Sequence, residues 1–420
     1  MVRFALFLLL AACIAGPTAA SDATADTSHI RVRILDRLGV RAATVTVQQG
    51  ALRVHIPEHT APVATIAAGD SATLSLRSDD VKLRQSGGGL YARALRLDPS
   101  DTTTKWTLTH AETRPRTYTG GIRVRPDTSR SDHLVLVNTV RLDRYVASVV
   151  ASEYPFDDIE GAKAMAVLVR TYALRAAAKF KGAYDHVDHT ASQVYRGASA
   201  VTDGSRQATE ATEGQVVTYN DRLIEAVYFS SSGGHTANPS AVWSAERNHP
   251  YLIARNDPYD ARSPHHRWTT RIDRSTLLSA LSEWKPFAVT GFYLGDRADG
   301  RRLTHIDLLD ADKTRHAVRS NDFRLHVNRN VPGAELKSTW FDAWRDGDVY
   351  VFEGRGFGHG VGLSQWGAHA MAQEGFSYRE ILTFYYTDVQ VQHVDGTPVD
   401  ATLPPVADEE SPDEPRRIGW

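Results

Sequence analysis

Residues 354–372 read GRGFGHGVGLSQWGAHAMA, with glycine at 354, 356, 358, 360 and 362 ahead of a Ser-Gln-Trp step and an alanine-rich run. Alternating glycines free the backbone for positive φ and for close approach of another segment. Either the protein's own elements pack there or a ligand does. Spacing removes the common cofactor readings. A dinucleotide fingerprint needs a third glycine five residues after the first, and counting from Gly354, Gly356, Gly358 or Gly360 that place holds His359, Val361, Leu363 or Gln365. No GK[ST] ending follows, Gly362–Gly367 is one residue too long for a nucleophile elbow, and HExxH occurs nowhere. Leu363–Gln373 has the spacing of a helix, and YREILTFYY after it that of a second.

The chain around this block has 420 residues, enough for two or three domains. Its 42% hydrophobic and 23% charged residues are ordinary globular values. A net charge of −2 with no basic patch argues against a nucleic-acid partner. Residues 1–20 carry Arg3, an apolar run to Ile14 and small residues ending at Ala20, the layout of a secretory signal peptide. Leu10–Cys13 also resembles a lipobox, which would instead anchor the chain as a lipoprotein through Cys13. Either way the expected place is secreted or periplasmic, at the cell envelope. No other stretch approaches 18 apolar residues, so no transmembrane span is expected in the mature chain. Cys13 is the sole cysteine, and cleavage after Ala20 leaves no disulfide, thiolate nucleophile or cysteine metal site.

The expected fold class is α+β. A β-rich region over 28–117 is announced by period-two runs such as IRVRIL, VTVQQGALRVHIP and ATLSL. A mixed α/β domain over 118–395 follows. It opens with YTGGIRVRP and HLVLVNTV, the latter apolar enough to be buried on both faces. LDRYVASVVASEYP has helical spacing up to Pro155, and the alanine-rich 160–180 segment reads as a well-buried helix. Strands resume near Val216. Residues 262–345 read as an insertion with a helix at 275–284 and alternating segments HIDLLD and FRLHVN. The acidic, proline-containing 396–420 tail is expected to be disordered.

Three separated segments, LDRYVASVVASEYP with KAMAVLVRTYAL, then VYFSSSGGHT, then GFGHGVGLSQWGAHAMAQEGFSYREIL, together resemble the SpoIID/LytB family of sporulation stage II protein D and amidase enhancers. The resemblance runs with gaps from about Tyr118 to Val391. It implies a catalytic domain with a substrate groove and a cell-wall enzyme, a peptidoglycan lytic transglycosylase. Such an enzyme cuts glycan strands between N-acetylmuramic acid (MurNAc) and N-acetylglucosamine (GlcNAc) and leaves a 1,6-anhydro end. The family's acid falls on Glu153 in Ser152-Glu153-Tyr154-Pro155, where Tyr154 replaces a methionine. A glycosidase ordinarily needs two carboxylates, whereas an anhydro-forming enzyme needs one, because the substrate's own C6 hydroxyl attacks. That one group must start protonated, which calls for burial. Val149, Val150, Tyr154 and Phe156 offer an apolar setting, with Asp157 and Asp158 pushing the same way if they face it.

The resemblance also implies substrate contacts at Arg170, Tyr195, the turn Ser230, Ser231, Ser232 and Gly233, and His359, Ser364 and Gln365, if the glycine block walls the cleft. A structural ion pair for Arg170 and plain turn chemistry for the serines stand beside that reading. Met165 replaces a family glutamine. No cofactor is expected. Some relatives bind zinc through cysteines before a "QVY" segment, but Ala191 and Ser192 stand at that pair here, leaving His186 and His189, with Asp185 and Asp188, as weak metal candidates. The expected partner is the peptidoglycan glycan strand. The alternative is a non-catalytic wall-binding protein that stimulates a cell-wall amidase.

Overall fold

The computed structural model describes residues 28–397 except 58, 177–179, 181, 244–248 and 299–300. The expected signal peptide with Cys13, and the tail beyond Thr397, lie outside the described residues. Twelve strands come first: β1 (His29–Ile34), β2 (Ala42–Gln49), β3 (Ala51–His55), β4 (Ala64–Ala67), β5 (Ser71–Arg77), β6 (Asp80–Gln85), β7 (Gly88–Ala92), β8 (Leu95–Pro99), β9 (Lys105–His110), β10 (Thr113–Thr119), β11 (Gly121–Pro126) and β12 (Leu134–Arg141). One sheet runs β1-β12-β11-β8-β3-β4, with His186–Val187 added parallel to β1. The other runs β10-β9-β2-β5-β6-β7.

Alternation decides which face each strand buries. Val45 and Val47 of β2, Leu74 of β5 and Leu83 of β6 point inward, and Leu52, Val54, Leu97 and Val124 answer them from the first sheet. Both sheets so contribute to one continuous core. Trp106 and Tyr118 stack at 4.9 Å within it. β12 departs from alternation as the sequence predicts: Leu134 to Asn138 are all buried. This strand pairs with both β1 and β11, so the sheet joins residues from both sides of position 118.

β12 leads straight into α1 (Leu142–Glu153), and α2 (Ile159–Arg175) follows after a short break at Pro155. Asp158 caps α2 by accepting from Gly161 N. The alanines of α2 let it lie deep, with Ala164 to Arg170 buried without a gap. α3 (Asp203–Ala211) packs on both. The fold is α+β.

A second core forms between Trp268 and Phe352, around Leu277 and Leu281 of α4 (Arg274–Trp284) and Phe323 and Val327 of α5 (Ser320–Asn330). Here the sequence reading needs correction. FRLHVN alternates like a strand but is the heart of α5. Phe323 and Val327, four residues apart, face the core, while Leu325 is 44% exposed. A short segment with apolar residues at i, i+2 and i+4 satisfies both periods, and packing settled the matter. The chain closes with α6 (Gln365–Gln373) and α7 (Tyr378–Tyr385), as their spacing predicts. No helix among the described residues is long and apolar enough to cross a membrane.

Candidate active site around Glu153

Glu153 is the last residue of α1, half-buried, at the point where Pro155 stops the helix. The SQVYRG segment (192–197) lies along α1 and fixes it. Val194 N donates to Glu153 Oε1 at 2.8 Å, and Arg196 N donates to Ser148 Oγ at 3.2 Å. Tyr145 donates to Gln193 Oε1 at 3.1 Å, while Gln193 Nε2 donates to the Tyr228 hydroxyl at 3.2 Å. On the other side Gln365 Nε2 donates to the Glu153 carbonyl oxygen at 2.7 Å. The start of α6 is thereby tied to the end of α1. Among the described residues Oε2 makes no hydrogen bond and is not sealed from solvent.

Burial pushes the Glu153 carboxyl above its ordinary range, against the opposing pull of the Val194 N–H and the Arg196 charge. Asp157 and Asp158 take no part. Asp158 accepts from the Tyr154 hydroxyl at 3.0 Å, lies 2.6 Å from His369 Nδ1 and caps α2. Beside it Phe156 stacks on His369 at 4.3 Å and meets Trp366 edge-on at 4.8 Å, an aromatic cluster next to the glutamate.

The glycine block answers its own question. Gly356, Gly358, Gly360 and Gly362 all have positive φ, between 75° and 104°. A side chain at Gly362 would meet Val227 O at 2.0 Å, at Gly358 the Phe229 Cβ at 2.9 Å, and at Gly360 the Arg302 guanidinium at 2.5 Å. These glycines admit the protein's own Val227–Ser232 segment and Arg302, not a ligand. Their partner segment pairs with them: Ser231 bridges Phe357, and Tyr228–Phe229 runs parallel to Leu363–Ser364.

Asp260, unflagged in the sequence, organises this junction. Fully buried, it accepts from Ser231 Oγ at 2.9 Å, Ser232 N and Gly233 N at 2.8 Å and Ser364 Oγ at 3.1 Å. Asp257 is equally buried and accepts from the Tyr385 hydroxyl at 3.0 Å; burial and the Asp260 charge raise its carboxyl to about 7.

Several expected substrate contacts are therefore sealed inside. Ser231, Ser232 and Gly233 serve Asp260, and Ser364 also caps α6 by accepting from Gly367 N. Only Ser230 of the turn remains half-exposed. Arg170 is buried, donating to Gln215 O and Thr209 O and facing Asp143 at 3.4 Å, which is the structural ion pair. Tyr195 is buried with its hydroxyl on Asn138 Oδ1 at 2.8 Å. Buried and hydrogen-bonded within the protein, these side chains leave no room for a sugar. His359 is held between Tyr228 O at 3.0 Å and Val361 N at 3.1 Å. Gln365 meets the Glu153 backbone. His186 and His189 do not converge: the first lies on Ala173 O, the second on Asp36. Among the described residues no three His, Cys, Asp or Glu side chains gather to hold a metal.

Of the neighbours that sequence reasoning missed, Gln193 and Tyr228 lay inside quoted motifs, where their types gave no signal of partnership. Asp257 and Asp260 lay in NDPYDAR, which looks like any polar loop.

Residues 130–219 match the family described as Stage II sporulation protein, SpoIID. The chain is 33% identical over 282 residues to stage II sporulation protein D of Bacillus subtilis (strain 168), covering 62% of this chain and 77% of that protein. The same protein of Bacillus amyloliquefaciens is 31% identical over 279 residues, covering 62% and 76%. The amidase enhancer of Bacillus subtilis (strain 168) is 32% identical over 284 residues, 57% of this chain but only 39% of that longer protein. With Glu153, the QVY segment and the glycine block in one folded neighbourhood, and with both stage II sporulation protein D relatives matched over three quarters of their length, the chain belongs to the SpoIID family of stage II sporulation protein D.

Proposed function

We propose that the protein cleaves peptidoglycan glycan strands in the cell envelope as a lytic transglycosylase, with Glu153 as its one acid and base. The observation that carries this reading is the division of labour within one carboxyl group. Oε1 is pinned by Val194 N–H, Oε2 is unbonded and not sealed from solvent, and burial raises the pKa of the group above the ordinary glutamate range, which favours the protonated acid. Glu153 donates its proton to the glycosidic oxygen as the bond from MurNAc C1 to that oxygen breaks. The C6 hydroxyl oxygen of the same MurNAc closes on C1, and its proton returns to the Glu153 carboxylate. The products are a 1,6-anhydro end and a GlcNAc with a free 4-hydroxyl, with the acid regenerated. Phe156, Trp366 and His369 offer the aromatic surface beside it.

The test is mass spectrometry of glycan strands incubated with the purified chain. Anhydro ends are expected, and Glu153→Gln should lower kcat by about 10²- to 10⁴-fold, the usual worth of a positioned acid and base. Undiminished cleavage by that variant would sink the mechanism. Because the acid must start protonated, kcat/KM should fall as pH rises through the raised pKa of Glu153.

One observation favours a second reading, a wall-binding protein that stimulates an amidase. Arg170, Tyr195, Ser231, Ser232 and Ser364 are withdrawn from any sugar, and one relative carries the name amidase enhancer. In that case no anhydro product forms, and Glu153→Gln leaves amidase stimulation unchanged.

A further inference from the structure

The outward face of the β10-β9-β2-β5-β6-β7 sheet carries a groove of about 760 Å³. It follows from alternation. While Ala72 and Leu74 of β5 point into the core, Ser71, Thr73 and Ser75 point out; while Val81 and Leu83 of β6 point in, Lys82 and Arg84 point out. Register sets these side chains in rows: Ser75, Lys82 and Tyr91 lie abreast, and Thr73, Arg84 and Gly89 lie abreast beside them. The hydroxyls continue onto β2, where Thr44 stands opposite Thr73 and Thr46 bonds Ser71 at 2.8 Å. At Gly88 the backbone is bare, and a side chain there would touch nothing. Tyr91 is 43% exposed, with the Arg77 guanidinium 4.7 Å and the Lys82 ammonium 5.8 Å from its ring centre.

The lining thus holds hydroxyls, one exposed aromatic ring and two cations, with no carboxylate among them. That local positive charge sits in a chain of net charge −2. The surface lacks the apolar wall that a lipid or an amphipathic helix needs. It suits a ligand that is hydroxyl-rich, offers flat ring faces and bears carboxylates at intervals. Hydroxyls meet the Ser/Thr rows, a sugar ring lies on Tyr91, and carboxylates pair with Lys82 and Arg84.

We propose that this groove is a second glycan site, which holds a peptidoglycan strand stripped of its stem peptides, through the lactyl carboxylates thereby freed on its MurNAc units, without cutting it. The inference rests on the cell-wall reading above. No carboxylic acid lines the groove to protonate a glycosidic oxygen, so its role is retention of the polymer.

The experiment uses the full chain carrying Glu153→Gln, so that substrate is not consumed, and measures affinity for peptide-free GlcNAc–MurNAc strands. Chitin oligomers of equal length, which lack the carboxylate, are the control probe. Adding Tyr91→Ala and Arg84→Glu should weaken strand binding at least about tenfold, since a stacked ring and a charge pair are lost together. Chitin oligomers should bind several-fold more weakly than strands, and added salt should narrow that gap. Because both substituted side chains are solvent-facing, circular dichroism should be unchanged; Lys82→Glu alone, which leaves Tyr91 in place, should still cost several-fold. Strand affinity unmoved by these substitutions overturns the proposal, as does equal affinity for chitin oligomers. Failure of the lyase reading shows up elsewhere, as absence of anhydro ends with Glu153 intact, and leaves this binding measurement standing.

Discussion

Asp260 holds more of the site together than any other single side chain. Its two oxygens take two backbone N–H groups and two serine hydroxyls from both sides of the junction. Replacing it with alanine strands four buried donors, so Asp260→Ala should cost about 3–5 kcal/mol in chemical denaturation. A loss under about 1 kcal/mol would mean that water substitutes for it. Three residues earlier, Asp257 leaves a pH signature. Its folded pKa is raised to about 7 from 3.8, by burial first and then by the Asp260 charge. A raised carboxyl costs nothing where both states are protonated, and stability drains away as pH climbs from about 4 through about 7. Glu153 acts in the same direction. Asp257→Asn should flatten the dependence of the urea midpoint on pH across that window; an unchanged slope would contradict the shift. Asparagine keeps the oxygen that accepts from Tyr385.

Among the elements, the glycine block makes the sharpest prediction. Gly362 and Gly375 both have positive φ, 80° and 88°. Only at Gly362 would a side chain meet backbone, Val227 O at 2.0 Å; at Gly375 nothing lies within 4 Å. Gly375→Ala should therefore cost only its backbone conformation, about 1–2 kcal/mol. Gly362→Ala should cost well over about 3 kcal/mol or fail to fold, since alanine forces the Val227 segment away. The difference, read from thermal midpoints of the two variants, separates conformational freedom from close approach. Equal losses would show that φ alone explains both. The same block couples distant elements: Gly356 N donates to His265 O and Gly358 N to Lys337 O, while Phe357 between them bridges Ser231.

At the scale of the whole fold, the described residues form two separate hydrophobic cores, and the glycine block links them by backbone hydrogen bonds, Leu363 N donating to Val227 O beside the first and Gly358 N to Lys337 O beside the second. Phe323 is fully buried in the second. Phe323→Ala should destabilise by about 3–5 kcal/mol, with faster hydrogen exchange over Trp268–Asp273 and Phe341–Gly354 than over β11 and β12. Uniform acceleration everywhere would mean that the two cores unfold as one.

Much was legible before any coordinate. Alternation in IRVRIL and ATLSL gave strands with the right faces, unbroken apolarity marked β12 as doubly covered, and the alanines of α2 announced a deep helix. The family resemblance singles out Glu153, and the burial that raises its pKa is in keeping with its apolar sequence neighbours. FRLHVN failed because six residues fit two periods at once, and only Phe323 and Val327 meeting the same core chose the helix.

What the sequence determined by itself is therefore local and periodic: which segments are strands or helices, which face is apolar, and where backbone freedom is required. What the tertiary structure alone decided is who occupies that freedom. The space at Gly356, Gly358 and Gly362 is filled by the chain's own Val227–Ser232 segment, that at Gly360 by Arg302 and that at Gly354 by Trp268, and Arg170, Tyr195 and Ser231 turn inward. The physical reason is that a contact between residues a hundred positions apart depends on shape, volume and hydrogen-bond satisfaction in three dimensions, none of which a residue type carries alone.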